Sequence, residues 1–447
     1  VLAISPAENK PTELDLGNAS AGSLPMTASI HSLSSQASPA RAKPGAARAL
    51  AIIGGGVMGL GIGWRLAQRG WRVDLYERGK AGRGASWAAA GMLAAGLEAE
   101  PGEAALLTLN RQSQALWRGF ARTVEAESGI DLGYRDEGTL LLALDRDQLA
   151  ALRFTHDFQG AAGIALEWLD APELRRREPF LHPGALAALY CAADHQVDNR
   201  KLVEALQRLF LAAGGRLHEE SPVQRIEIKG GRVAGLHVGG ERVAAEQVLL
   251  AAGAWSRGIE GLPEALRPPV RPVKGQLIAL QMDPAAPLLR HVVWAPKVYL
   301  VPRNDGRLIL GATVEERGFD ERLTAGGMLA LLEPAWRALP AIEELPVAEC
   351  WTGFRPGSRD DAPILGPSGI EGLSIATGHH RNGILLAPIT IDCMSRFIAT
   401  GELDPAIAPF GLARFAPTAE ALPQAKAMPQ AKVAPQAKAR PQAKAIP

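Results

Sequence analysis

The sequence predicts a mixed α/β fold in which a parallel, nucleotide-binding sheet carries a second, mostly antiparallel domain. Three observations predict it: a glycine-rich turn between an apolar strand and a helix, an acidic residue closing the next strand, and a later set of short strands with glycine turns.

Residues 48–53 read as an apolar strand, 58–70 as a helix and 71–76 as a second strand. The stretch 104–128 has helical periodicity, with Leu109, Leu116, Phe120 and Val124 near one face, and 138–144 reads as a strand. Asp198 is placed to cap a helix over 199–213, because a short acceptor side chain satisfies the first free amides. Strands follow at 223–228 and 232–238, turned by Lys229-Gly230-Gly231, then at 242–245 and 247–252.

The chemistry concentrates in the first turn. Gly54, Gly56 and Gly59 follow the strand and open the helix. The first makes a tight turn, the second lets backbone approach a pyrophosphate, and the third lets the helix sit close on the sheet; Gly63 extends that close-packed face. The positive end of the helix faces the phosphates, so Gly54, Gly56, Val57, Met58 and Gly59 are the expected dinucleotide contacts. Glu77, with Arg78 beside it, stands where a carboxylate receives ribose hydroxyls. An acid there suits FAD or NAD over NADP.

Composition bounds the alternatives. A chain of 447 residues, 47% of them hydrophobic, allows two or more domains. The 48 basic and 47 acidic residues leave +1, which argues against a chain-wide nucleic-acid footprint. No stretch approaches the ~18–20 apolar residues of a membrane span. Cys191, Cys350 and Cys393 are widely spaced and lack CxxC, against a disulfide framework or zinc site and in keeping with a reducing, cytoplasmic setting. Residues 1–47 are Ser-, Ala- and Pro-rich without the apolar core of a secretory signal, and are expected to be disordered. A PQAKA unit repeats from Pro423 with a proline every sixth residue, so 414–447 is expected to be a disordered, basic tail.

Four stretches carry a resemblance. They are the glycine turn with Glu77; Ala85-Ser86-Trp87-Ala88-Ala89-Ala90-Gly91-Met92-Leu93; Leu249-Leu250-Ala251-Ala252-Gly253-Ala254-Trp255-Ser256; and Cys350 to Gly357 followed by Gly378 to Pro388. With these, residues 48 to about 413 resemble the FAD-dependent D-amino acid oxidase superfamily, most closely its glycine oxidases of the thiamine pathway. The resemblance implies a glutathione-reductase-type, Rossmann-like FAD domain built discontinuously from 48–99, 194–258 and 350–413, and a substrate domain from 100–193 and 259–349. It implies non-covalent FAD contacts at Ser86, Ala89, Ala90, Gly91, Met92, Val223, Ala252, Gly253, Gly378, Arg381, Asn382, Gly383, Ile384 and Leu385. Small residues at 88–91 let a flat ring lie on backbone, and a helix expected to begin at Gly383-Ile384 would turn its amides toward the flavin.

On the substrate side the resemblance makes Arg355 the anchor of an amino acid carboxylate, a task a guanidinium performs through two parallel bonds. It places Tyr299 and Arg381 beside it, and Val314 where some relatives carry methionine. Trp87 and Ala85 depart from the small and hydroxyl residues usual in the flavin loop. The implied activity is oxidation of glycine, sarcosine or a small D-amino acid with oxygen as acceptor and no side chain acting as base. A broader D-amino acid oxidase or a dehydrogenase on the same scaffold is the alternative, and a flavin-bound interaction module using the tail is a third. Relatives are often homotetramers. His379-His380 lacks the acidic or thiol companions of a metal site, and Asp360-Asp361 reads as a solvated turn.

Overall fold

The computed structural model describes residues 48–416, so the expectations for 1–47 and for the repeat tail from 417 on lie outside the described residues. Residues 414–416, assigned to that tail, belong to the folded part: Arg414 Nε and Nη2 donate to Asp360 at 2.8 and 3.0 Å. The Asp360 side of the expected solvated turn is therefore tied down by an ion pair.

A six-stranded sheet runs in the order Ile364–Pro367, Leu373–Thr377, Val248–Leu250, Ala49–Ile53, Arg72–Tyr76, Arg216–His218. Every neighbouring pair is parallel except the first. Ala49–Ile53 lies inside it, with the next strand of the chain on one side and a strand some 200 residues later on the other. The strand order thus reverses at its carboxyl end, where open parallel sheets receive ligands.

Helix Val57–Gln68 leaves that end and is buried almost all round, because helices Asn199–Ala212 and Ala387–Thr400 both pack on it. Close approach needs glycines there: a Cβ at Gly63 would stand 2.9 Å from the Phe210 ring, and one at Gly61 2.2 Å from Ile391 Cδ1. Asp198 caps the second of these helices by accepting from the amides of Arg200 and Lys201.

Helix Ala104–Ser128 has the expected bounds, but its buried face is rotated. Trp117 is fully buried while Leu116 is 45% exposed. This face joins the core of the parallel sheet through Leu109, Trp117, Phe120 and Val124, not a core of the substrate domain to which 100–193 was assigned.

An eight-stranded sheet runs Val347–Gly357, Arg271–Gln281, Arg307–Gly311, Val298–Pro302, Val292–Ala295, Thr139–Ala143, Ala187–Cys191, Glu167–Asp170. Its neighbours are antiparallel except Val292–Ala295 with Thr139–Ala143. The boundary expected at residue 350 therefore falls within a strand that pairs along its length with Arg271–Gln281. Side chains alternate between its faces. Ile278, Leu280, Leu300, Leu308 and Leu310 pack under helix Ala325–Ala338. Leu277, Ala279, Tyr299, Val301 and Ile309 turn the other way, toward Ala88 and Ala90 of the small-residue loop. A separate three-stranded sheet holds Val223–Lys229, Arg232–Val238 and Glu241–Val243. Among the described residues no helix is long and apolar enough to cross a membrane, and the three cysteines are free.

Candidate active site

Between the carboxyl end of the parallel sheet and the inner face of the eight-stranded sheet lies a cavity of ≈ 1530 Å³. That exceeds the roughly 300–1,000 Å³ usual for one small ligand, and leaves room for a dinucleotide with a small molecule beyond it.

The glycine turn forms its floor. Gly54 has φ +106°, and a Cβ there would lie 2.4 Å from the Ala251 carbonyl oxygen; one at Gly59 would lie 2.0 Å from the Gly54 carbonyl oxygen. Gly56 is different: it is the residue before the helix, and a Cβ would meet only the Ser86 hydroxyl, at 3.2 Å. The open side of Gly56 is the approach a pyrophosphate needs. Ser86 Oγ accepts from the Val57 amide at 3.0 Å, which places a hydroxyl at the positive end of the helix. Glu77 lines the cavity and also braces the turn, accepting from the Gly55 and Gly79 amides at 2.8 and 3.0 Å. Arg78 stacks 3.5 Å over the Trp255 ring.

Of the residues expected to contact cofactor or substrate, all line this cavity except Gly59, Gly378, Asn382 and Leu385. Gly59 lies under the turn. Leu385 faces away, its carbonyl accepting from Ser113 Oγ and Trp117 Nε1 at 2.7 and 2.8 Å. The expected helix start at Gly383-Ile384 is corrected too. Residues His380–Asn382 form a 3-10 turn, and the α-helix begins only at Ala387, with Pro388 in its first turn. Gly383 and Ile384 reach the cavity from a turn ahead of it, and so stand outside the first turn of the helix, where its dipole acts.

The substrate end is built by strand pairing. Val273 and Arg355 are register partners, and Tyr299 stands opposite Gly311. Arg355 Nη1 donates to the Thr313 carbonyl at 3.0 Å, and among the described residues no carboxylate pairs with it. Tyr299 is buried; burial pushes its hydroxyl up to about 12, with the Arg355 charge pulling the other way. It therefore stays a neutral donor. Arg381 differs. Its Nη2 donates to Glu103 at 2.8 and 3.1 Å, its Nε lies 3.5 Å from Glu98, and Glu100 is 3.6 Å away. Burial opposes its charge, but the three carboxylates outweigh burial and raise its pKa. Val314 lines the rim and is 72% exposed.

Sequence reasoning missed Glu98, a cavity-lining carboxyl pushed up to about 7 by burial, against the pull of Arg381. The signal available was the acidic run Glu98, Glu100, Glu103, but its partner stands 278 residues away from Glu103. His379 is buried and held neutral, its pKa pushed down to about 3 by burial. Its Nε2 meets Thr390 Oγ1 at 3.3 Å, and no metal-holding cluster occurs among the described residues.

Backbone opened at Gly56 at the switch point of a parallel sheet, with the acid at the next strand end, marks a dinucleotide-dependent oxidoreductase. The chain belongs to the FAD dependent oxidoreductase (DAO) family, whose model matches residues 49–396, and FAD is its cofactor. It is 38% identical over 369 residues to a glycine oxidase of Geobacillus kaustophilus, covering 82% of this chain and 96% of that protein. A bifunctional ThiO/ThiG protein of Synechocystis is 36% identical over 373 residues; the match covers 82% of this chain and 54% of that longer protein. Among solved structures, glycine oxidase from Geobacillus kaustophilus superposes with a TM-score of 0.75 at 35% identity, covering 82% of this chain and 98% of that one. Iminodiacetate oxidase from Chelativorans gives 0.73 at 27% identity, over 81% and 98%.

Proposed function

We propose that this chain oxidises glycine, or an amine close to it in size such as sarcosine or a small D-amino acid, to the imino acid. The observation that carries the reading is Arg355, a guanidinium on the cavity wall with no carboxylate against it among the described residues. A half-buried cation with no carboxylate beside it is a binding site for an anion. The similarity to glycine oxidases supports the choice of substrate.

In this reading Arg355 holds the substrate carboxylate and Tyr299, neutral at working pH, donates a further hydrogen bond. Two grips on one carboxylate fix the small molecule, so that a Cα–H bond is presented to the cofactor. The apolar face of Leu277, Trp351 and Tyr299 keeps water from the reacting carbon. When bound, FAD supplies the acceptor for the Cα hydride and the route of both electrons to dioxygen, which leaves as hydrogen peroxide. The amine loses a proton as the C=N bond forms, and the free imine hydrolyses to glyoxylate and ammonia unless a thiazole-forming step of thiamine synthesis consumes it. The free cysteines support a reducing, cytoplasmic setting.

Peroxide yield across glycine, sarcosine and D-alanine tests the assignment. Turnover of glycine with stoichiometric peroxide is expected. Turnover of D-alanine alone would favour the broader oxidase, and reduction without peroxide a dehydrogenase.

A further inference from the structure

Four of the five carbonyl groups of residues 86–90 are held from behind by separate elements. Asn199 Nδ2 donates to Ser86 O at 2.8 Å and Trp87 O at 3.0 Å. Trp351 Nε1 donates to Ala88 O at 3.0 Å. Ala90 O is held by Arg303 Nη2 at 2.6 Å, and that nitrogen also donates to Asn199 Oδ1 at 3.1 Å. The other terminal nitrogen of Arg303 donates to Val197 O at 2.8 Å and Gln196 Oε1 at 3.2 Å.

Ser86 O and Ala88 O are held by neutral donors and Trp87 O takes a long 3.5 Å bond from Arg200 Nε beside its Asn199 bond, whereas Ala90 O receives a short bond from a buried cation. Arg303 is 6% exposed and lies off the cavity wall. Among the described residues no carboxylate lies within ion-pair reach of it, and the nearby Asp198 is engaged by Arg307 at 2.7 Å. Burial pushes its pKa down to about 10, which leaves it charged at neutral pH. A clip that only fixed the loop would not need a charge whose burial is costly.

The C=O and N–H of a trans peptide point in opposite directions. With Ala90 O turned onto Arg303, the Gly91 N–H points away from it and makes no backbone hydrogen bond among the described residues. Gly91 lines the cavity, and a Cβ there would lie 2.0 Å from Val197 O and 2.9 Å from Arg303 Nη2. The loop therefore lies tight against the cation on one side and open to the cavity on the other.

We propose that Arg303 is a positioning residue that acts electrostatically through the Ala90–Gly91 peptide, strengthening the Gly91 N–H as a donor toward the flavin ring and favouring its electron-rich reduced state. A charge-assisted bond to a carbonyl polarises the amide beyond it, and a fixed charge in a low-dielectric interior stabilises negative charge developing nearby. Arg303 itself touches neither cofactor nor substrate. The inference rests on the assignment of residues 86–92 as the flavin seat.

The test is the midpoint potential of bound FAD, measured by dye equilibration, with the FAD dissociation constant, in the full-length wild type, Arg303→Lys, Arg303→Met and Asn199→Ala. Arg303→Met should lower the ratio of affinities for reduced over oxidised FAD at least tenfold, a fall of about 30 mV for two electrons. Arg303→Lys should restore most of that ratio. Asn199→Ala should weaken FAD binding with the potential unchanged. A Met variant that binds FAD at the wild-type potential overturns the proposal. If the Met variant does not fold, a Lys variant at the wild-type potential supports it, and a tenfold loss in that charge-retaining variant overturns it. Wild-type protein unable to bind FAD would sink the flavin seat itself, and the proposal with it.

Discussion

Arg355 and Arg381 line the same cavity in opposite electrostatic states. Arg355 donates to the Thr313 carbonyl and, among the described residues, meets no carboxylate, whereas Arg381 is enclosed by Glu98, Glu100 and Glu103. Two arginines that look alike as sequence candidates thus divide the work: one has charge free for a ligand, and the other holds together an acidic wall. In the proposed function the carboxylate grip therefore falls to Arg355.

Replacing Arg355 by Ala should therefore leave bound FAD in place and cost substrate capture. A hydrogen bond to a charged partner contributes about 1.5–3 kcal/mol, so kcat/KM for glycine should fall roughly 10- to 150-fold, mainly through KM. Steady-state kinetics together with the visible flavin spectrum check both halves. Normal glycine turnover in this variant would show that the anchor lies elsewhere.

The glycines of the turn should fail in different ways. Gly54→Ala places a Cβ against the Ala251 backbone at a positive φ, and should destabilise the fold by about 1–3 kcal/mol or more. Gly56→Val meets only the Ser86 hydroxyl near its Cβ, so the protein should fold but lose FAD. Thermal unfolding and flavin content, measured on both variants, separate the two effects.

Glu98 gives the fold a pH dependence of predictable sign. Burial raises its pKa from 4.5 to about 7, so between those values the folded state holds a proton that the unfolded state has released. Stability from this group is present below about pH 4.5 and is lost as pH rises through about 7. His379 works in the opposite direction, since its lowered pKa costs stability as pH falls below 6.5 toward about 3. In Glu98→Gln the fall in melting temperature that this group causes between about pH 5 and 7 should disappear. An unchanged slope would mean that Glu98 is ionised throughout.

Much of this site is legible in the sequence because its chemistry is local. Gly54, Gly56 and Glu77 lie within one strand–helix–strand unit, where spacing alone fixes their tasks. Arg355 and Tyr299 carry no such spacing and were reached through the resemblance. What stayed hidden depends on distant packing. Leu116 and Trp117 are neighbours on one helix, and only contact with the Leu385 carbonyl decides that Trp117 is the buried one. Glu98 is one acid in a surface-like run until Arg381 closes over it. The helix start at Gly383 was misplaced because Pro388, not the glycine, sets where regular helix begins.

Val314 offers a test of that distinction. The resemblance places it beside the substrate, where some relatives carry methionine, whereas its 72% exposure puts it at the rim. Val314→Met should change kcat/KM for glycine by no more than about threefold, as exposed substitutions usually do. A larger change, or a switch in preference between glycine and D-alanine, would restore it to the pocket wall.

The central claim is that a small amino acid, held at Arg355, delivers its electrons to FAD. Mixing glycine with the purified, FAD-loaded protein under anaerobic conditions tests it most directly. The account predicts rapid bleaching of the visible flavin bands, then their return with one hydrogen peroxide formed per glycine consumed when oxygen is admitted. Bands left unchanged by glycine, sarcosine and D-alanine in a fully flavinated protein would contradict it.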